Sequence, residues 1–270
     1  MTPLKLGKHK NNYTHPKHPR YISHENIVHK KAFDGTIKVV TYNIKLSKKT
    51  AKALDLLSDH RELRDADILC LQEMDPHGVK LIADSLKYNY VYYPAILHPR
   101  SSKDFGNAIL AKWPIVHDEK IILPKLGPGK LQRIAVHATV LINAIEVSII
   151  CVHMKIFANR DQRQIPIKKI INKIKPSIKY SIIAGDFNTF SKSNCRAIFE
   201  PFEKSDFKIV TSGVGATYKY WYLLNKSSSL DHIFTRGMNV ISAGKVSNRK
   251  PSDHIPVWGR LKLEIKKARH

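Results

Sequence analysis

The chain has 270 residues and sets 46 Lys and Arg against 22 Asp and Glu, a formal charge of +24. A chain this long buries a core without staples, its three cysteines do not make a disulfide framework, and no apolar run reaches membrane-spanning length. The first thirty residues are basic and lack the apolar core of a secretory leader, so a cytoplasmic location is expected. The charge favours a polyanionic partner, nucleic acid first and an anionic membrane surface second. The lysines are spread along the chain, so a Lys-rich composition without such a partner is the plain alternative.

Residues 1–34 read as a basic, His-rich arm, with Pro16 and Pro19 opposing any helix, and residues 35–270 as a single domain. An apolar strand over 39–42 delivers Asn43. Residues 48–63 predict an amphipathic helix with Ala51, Leu54 and Leu57 on one face. The strand 68–72 delivers Glu73, and a second helix over 77–86 turns Val79, Ile82, Ala83 and Leu86 inward. Strands are expected over 90–93 and 107–110, the latter opening on Asn107. Two long β-branched runs, 131–141 and 145–152, predict a hairpin that carries Arg133 and ends at His153. A Lys-rich helix over 161–174 follows. An apolar run then breaks at Gly185, and Asp186 and Asn188 stand two apart, facing the same way on extended backbone. A short helix over 194–202 precedes a strand over 230–234 that carries Asp231. Asp253 and His254 sit just before a last apolar strand, which a basic tail over 262–270 extends. Cys70 and Cys151 lie inside apolar strands and read as small buried hydrophobes.

Strand ends are rigid places from which to hold chemical groups. Hard oxygen ligands such as Glu73, Asp186 and Asp253 suit magnesium or manganese, and no Cys/His cluster has zinc spacing. Seven segments in order resemble the endonuclease/exonuclease/phosphatase superfamily, with its deoxyribonuclease I-like fold. They are Thr41-Tyr42-Asn43, Leu71-Gln72-Glu73, Gly106-Asn107-Ala108-Ile109-Leu110, Val152-His153, Gly185-Asp186-Phe187-Asn188, Leu230-Asp231-His232-Ile233 and Ser252-Asp253-His254.

The resemblance implies an α/β architecture of two β-sheets packed as a sandwich and flanked by helices, in four layers. It also implies metal-dependent hydrolysis of phosphoesters, with Mg2+ as cofactor and Mn2+ as a substitute. Glu73, Asn43 and Asp253 are then the metal-ligand candidates. Asp231 and His254 match the family's carboxylate–histidine pair, in which the acid orients the ring. His254 either takes a proton from the attacking water or binds the phosphoryl group as a cation. Asp186 and Asn188 orient water and bind the scissile phosphate, and His153 contacts a phosphate oxygen or assists the leaving group. Asp104 is a candidate partner of His153. Arg133 and Asn107 are phosphate-binding candidates, Arg133 as a clamp. Arg160, Arg163 and Gln164 fit packing at a helix start. Tyr218-Lys219-Tyr220-Trp221-Tyr222 can stack on bases or anchor a loop. His153 and Ser229-Leu230 differ from the apurinic/apyrimidinic endonucleases, which carry a tyrosine and an arginine at the matching points. The expected function is a monomeric nuclease of DNA or RNA. A phospholipid-directed phosphoesterase of the same fold and a non-catalytic nucleic-acid-binding protein are the alternatives.

Overall fold

The computed structural model describes residues 11–24, 33–99, 101–125, 131–155, 160–219 and 227–263. The first half runs β1 (Tyr21–Ser23), β2 (Thr36–Asn43), α1 (Thr50–Asp59), β3 (Ile68–Met74), α2 (Pro76–Leu86), β4 (Asn89–Leu97), β5 (Asp104–Ala111) and β6 (Ile115–Ile122). The second runs β7 (Ile134–Ile142), β8 (Ile145–His153), α3 (Arg160–Ile171), β9 (Tyr180–Asp186), α4 (Lys192–Glu203) and the short β10 (Lys208–Ile209), β11 (Tyr218–Lys219) and β12 (Ser227–Ser228). It closes with β13 (Asp231–Arg236), β14 (Met238–Lys245) and β15 (Val257–Leu263). The strands form a seven-stranded sheet, in the order β1-β4-β5-β3-β2-β15-β14, and a six-stranded sheet, β10-β13-β9-β8-β7-β6, while β11 and β12 pair with each other as a separate two-stranded sheet.

Period-two burial packs these sheets face to face. Along β2, Ile37 and Val39 enter the core between the sheets, while Val40 and Tyr42 face outward beneath α1 and α2. Along β8, Val147, Ile149 and Cys151 turn inward, while Ile150 and Val152 pack under α3 and α4. The result is the expected four layers, helix–sheet–sheet–helix. The Ile142–Ile145 hairpin closes through Asn143 and Ala144, both at positive φ, as a two-residue turn requires. None of the helices described is long and apolar enough to cross a membrane.

Several boundaries and faces differ from the sequence reading. Helix α1 is shorter than 48–63, and it buries Ala53, Leu56 and Leu57 while Ala51 is exposed. Leu54 and Leu57 do share a face, but Leu56 widens the stripe and rotates its centre away from Ala51. Strand β6 was hidden by its charged sequence Ile-Val-His-Asp-Glu-Lys-Ile-Ile, and β14 by its exposed Val240 and Ile241 on a sheet edge.

The described part of the basic N-terminal segment lies against the domain. Asn12 pairs with Ile96, and β1 adds an antiparallel edge to β4. Tyr13 and Tyr21 donate their hydroxyls to the two oxygens of Asp104, at 2.8 and 3.1 Å. Arg20 grips Asp118 with two hydrogen bonds, and Lys120, almost fully buried, donates to the carbonyl of His18 at 2.6 Å. Residues 1–10 and 25–32 lie outside the described residues.

Candidate active site

One end of the space between the sheets is polar. In the second sheet, His153 pairs with Asp186 across the parallel β8/β9 ladder, and Asp186 pairs with Asp231 across the antiparallel β9/β13 ladder. Three functional side chains thus occupy one rung on the inner face, each two positions beyond an apolar core residue or before one. Gly185 makes this spacing possible. Its φ is +153°, and a Cβ there would meet the Val152 carbonyl oxygen at 1.9 Å, so only glycine lets β9 lie against β8 at this point. Phe187, fully buried edge-on against Phe202 and Phe234, anchors the turn that follows.

The first sheet contributes through irregularity. Asn43 ends β2 on the inner face. Simple alternation would send Glu73 outward beneath the helices, because Gln72 points into the core. A β-bulge intervenes: the β3/β5 register shifts between Gln72 and Met74, and Glu73 adopts φ +58°. The bulge swings the carboxylate to the site, where its side chain keeps 21% of its surface exposed.

The groups converge. Asn43 donates its amide to Glu73 Oε1 at 3.3 Å and to Asp186 Oδ2 at 3.0 Å. His153 Nε2 stands 3.5 Å from Asp186 Oδ2 and 3.9 Å from Glu73 Oε1, while its Nδ1 is buried with no partner among the described residues. His254 Nδ1 bonds Asp231 Oδ2 at 2.9 Å, and its Nε2 faces Asp186 Oδ2 at 3.8 Å. Ser252 fixes the loop that carries His254 by donating to the Asn43 carbonyl at 2.7 Å. Asn188, at φ +52°, gives its backbone N–H to Asp186 Oδ1 and its amide to the Met154 carbonyl.

Charge follows this geometry. Burial alone would lower the pKa of His254, but Asp231, Asp186 and Asp253 outweigh it and raise the group to about 10. His254 is therefore a cation at neutral pH in the metal-free chain. Burial, with Asp231 nearby, raises Asp186 above the usual carboxylate range, against the pull of His254, Asn188 and Asn43. Burial, with Arg133 and His254, holds His153 well below its ordinary value, so His153 is neutral. Arg133 lies over the Phe105 ring at 5.3 Å and is drawn electrostatically to Glu73 and Asp186.

Other expected residues stand further off. Asp253 is ion-paired with Lys45 at 2.7 Å, a contact that helps hold its carboxyl below the usual range against burial. Asn107 gives its amide nitrogen to the Ile134 carbonyl at 3.0 Å, tying the two sheets together. Asp104 does not reach His153, since the two N-terminal tyrosines take both its oxygens. The Tyr218 ring lies tilted against His254, with centroids 4.9 Å apart, and 220–222 lie outside the described residues. Arg163 is buried and holds the Asn188 carbonyl at 3.1 Å. Sequence reasoning missed Thr217, whose hydroxyl donates to Asp231 Oδ2 at 2.6 Å and accepts the N–H groups of Leu230 and Asp231. A single threonine in a loop carries no signal until the fold brings it to Asp231.

A divalent cation fits this donor set. Two carboxylates, Glu73 and Asp186, share one Asn43 amide hydrogen-bond donor, and Glu73 keeps lone pairs free toward solvent. A buried group of Asp186, Asp231 and His254 also places one potential ligand atom from each within 4.8 Å of the others. There the Asp231–His254 bond occupies Asp231 Oδ2 and one ring nitrogen, while Asp231 Oδ1, buried with no partner among the described residues, remains an oxygen donor beside Asp186 and Glu73.

Two mixed sheets packed face to face between helices, with this acid–histidine cluster at one end, define the deoxyribonuclease I-like fold. The profile of the Endonuclease/Exonuclease/phosphatase family matches residues 40–254, and the chain belongs to that family. No curated protein matches it. Among solved structures it is similar to D. rerio TDP2 complexed with a single-strand DNA product, at 16% identity and TM-score 0.69, over 85% of this chain and 100% of that one. It is also similar to a mannosyl-6-phosphatase from Bacteroides thetaiotaomicron VPI-5482, at 20% identity and TM-score 0.66, over 84% and 100%. An endonuclease/exonuclease/phosphatase from Beutenbergia cavernae DSM 12333 aligns at 16% identity and TM-score 0.68, over 84% and 72%. Members of this family are generally phosphoester hydrolases, typically dependent on a divalent metal.

Proposed function

We propose that this chain hydrolyses phosphodiester bonds in nucleic acid with the help of a divalent cation. The observation that carries the reading is the convergence of Glu73, Asp186, His153 and the Asp231–His254 pair on one spot. Bound beside Glu73 and Asn43, magnesium or manganese would supply positive charge to a phosphoryl oxygen. Arg133 and the imidazolium of His254 bind the remaining phosphoryl oxygens and stabilise the charge that grows on them. Asp231 keeps the His254 ring oriented and charged. Asp186, raised by burial and kept in place by Asn43 and Asn188, accepts a proton from the attacking water. His153, neutral at Nε2, hydrogen-bonds the phosphate or the leaving oxygen.

Nucleic acid is favoured as substrate by the +24 charge. The similarity to a protein solved with a single-strand DNA product agrees with this choice. The test is to incubate the pure protein with plasmid, single-stranded DNA, RNA, a sugar phosphate, phosphoinositide and sphingomyelin, with magnesium, with manganese and with chelator. Metal-dependent cleavage of DNA or RNA is expected. Hydrolysis confined to a lipid headgroup or a phosphomonoester overturns the nucleic-acid assignment, and activity that survives the chelator overturns the metal.

A further inference from the structure

Two thiols that the proposed reaction does not use meet between the sheets. Cys70 on β3 and Cys151 on β8 both turn into the central core, and neither exposes any surface. The Gln72 amide nitrogen joins the two residues: it donates to the Cys70 carbonyl at 2.9 Å and also reaches the Cys151 sulfur. Cys151 accepts from the Gln72 amide nitrogen at 3.2 Å and donates to the Leu71 carbonyl at 3.5 Å. Packed sheets usually stand about 10 Å apart. Here β3 and β8 bring Cα atoms within 8 Å of one another. A disulfide spans roughly 4.4–6.8 Å between Cα atoms, a span that this close approach and the shared Gln72 amide bring within reach.

We propose that Cys70 and Cys151 form an inter-sheet disulfide when the chain folds under oxidising conditions, a staple placed directly beneath the reaction centre. Glu73 lies just beyond Cys70 on the same strand, and His153 just beyond Cys151. The bond therefore fixes the separation of the two strands that hold the carboxylate and the imidazole. The chemistry needs a low-molecular-weight disulfide such as oxidised glutathione. One cysteine thiolate attacks it, forming a mixed disulfide and releasing one thiol. The second cysteine displaces the remaining half as a second thiol, so the protein loses two hydrogens and the reagent gains them. In the folded chain no reagent reaches either sulfur. The bond is set during folding and then shielded, so the protein keeps a record of the redox conditions in which it folded.

The experiment uses the full chain carrying Cys195→Ser, which removes the remaining thiol. It is unfolded and refolded in parallel in mixed oxidised and reduced glutathione and in dithiothreitol, then alkylated in denaturant and digested. A Cys70–Cys151 linked peptide is expected from the first sample alone, with a melting temperature roughly 5–10 °C above the second. Cys70→Ala and Cys151→Ala should each abolish both. Recovery of both thiols alkylated from protein refolded in glutathione to the native circular dichroism overturns the proposal. So does a linked peptide that comes with a lower melting temperature. Should refolding fail, the same peptide readout on protein expressed in a host with an oxidising cytoplasm decides it: linked peptide there supports the staple, and free thiols overturn it.

Discussion

The two sheets build their shares of the active site by different means. In the second sheet, three strands in unbroken register place His153, Asp186 and Asp231 on one rung, and alternation alone aims them inward. In the first, Glu73 reaches the site only because β3 bulges and its own backbone turns left-handed. A regular ladder gives position without cost. A bulge gives a position that regularity forbids, and stores strain of about 1–3 kcal/mol to do so.

The largest break in this comparison is expected at the irregular side. Glu73→Gln keeps the shape of the residue and removes its charge, and turnover should fall at least ~10³-fold, with magnesium dependence weakened. Metal titration of the rate checks it. Unchanged activity and metal response would take Glu73 out of the site.

For Asp231 on the regular side and the His254 ring it orients, Asp231→Asn and His254→Ala should each lower kcat by about 10²–10⁴. The double variant should be little worse than the weaker single one, because each removes the same oriented cation. Additive losses in single-turnover rates would show that the two act independently.

A sharper test of the ladder is Gly185→Ala. A methyl group has no room beside the Val152 carbonyl, so stability should drop by roughly 1–3 kcal/mol or more in urea denaturation as β8 and β9 part. Turnover should fall as well, since His153 and Asp186 separate. Unaltered stability would mean that the close approach of these strands is relaxed in solution.

The ring that Asp231 orients predicts a pH effect in chelator. The folded pKa of His254 lies above its unfolded value of about 6.5. Its contribution is therefore complete below about 6.5 and is lost as pH rises through about 10. Wild type should lose stability between neutral pH and pH 10, relative to His254→Gln. Parallel stability curves for the two proteins would contradict this.

The smallest expected effect lies at the N-terminus. Deleting residues 1–10, with Lys5, Lys8 and Lys10, should raise KM for single-stranded DNA a few-fold at low salt and leave kcat unchanged, each lost phosphate contact reducing the salt slope by about 0.7. Deleting 1–30 should also lower the melting temperature, because it removes Tyr13, Arg20 and Tyr21 from Asp104 and Asp118.

Much of the second sheet was legible in the sequence, because period-two burial ending in a chemical residue is a local pattern. His153, Asp186 and Asp231 could be placed from their own strands. Glu73 was found by its Gln-Glu context rather than by its direction, since a bulge leaves no mark in hydropathy. The contacts of Thr217 with Asp231, of Lys45 with Asp253 and of Asn107 with Ile134 join distant segments. No local pattern encodes such pairings. The charged strand β6 was unreadable because its polar residues serve the N-terminal segment: Asp118 and Lys120 look like surface residues until Arg20 and His18 are laid over them.

The left-handed backbone at position 73 sets activity against ease of folding. A glutamate there occupies a conformation that glycine adopts without penalty. Glu73→Gly should therefore be as stable as wild type, or more so, while lacking turnover altogether. A lineage freed from the need to cut phosphoesters has an open downhill path at this residue, and the first sign of lost function would be a better-behaved protein.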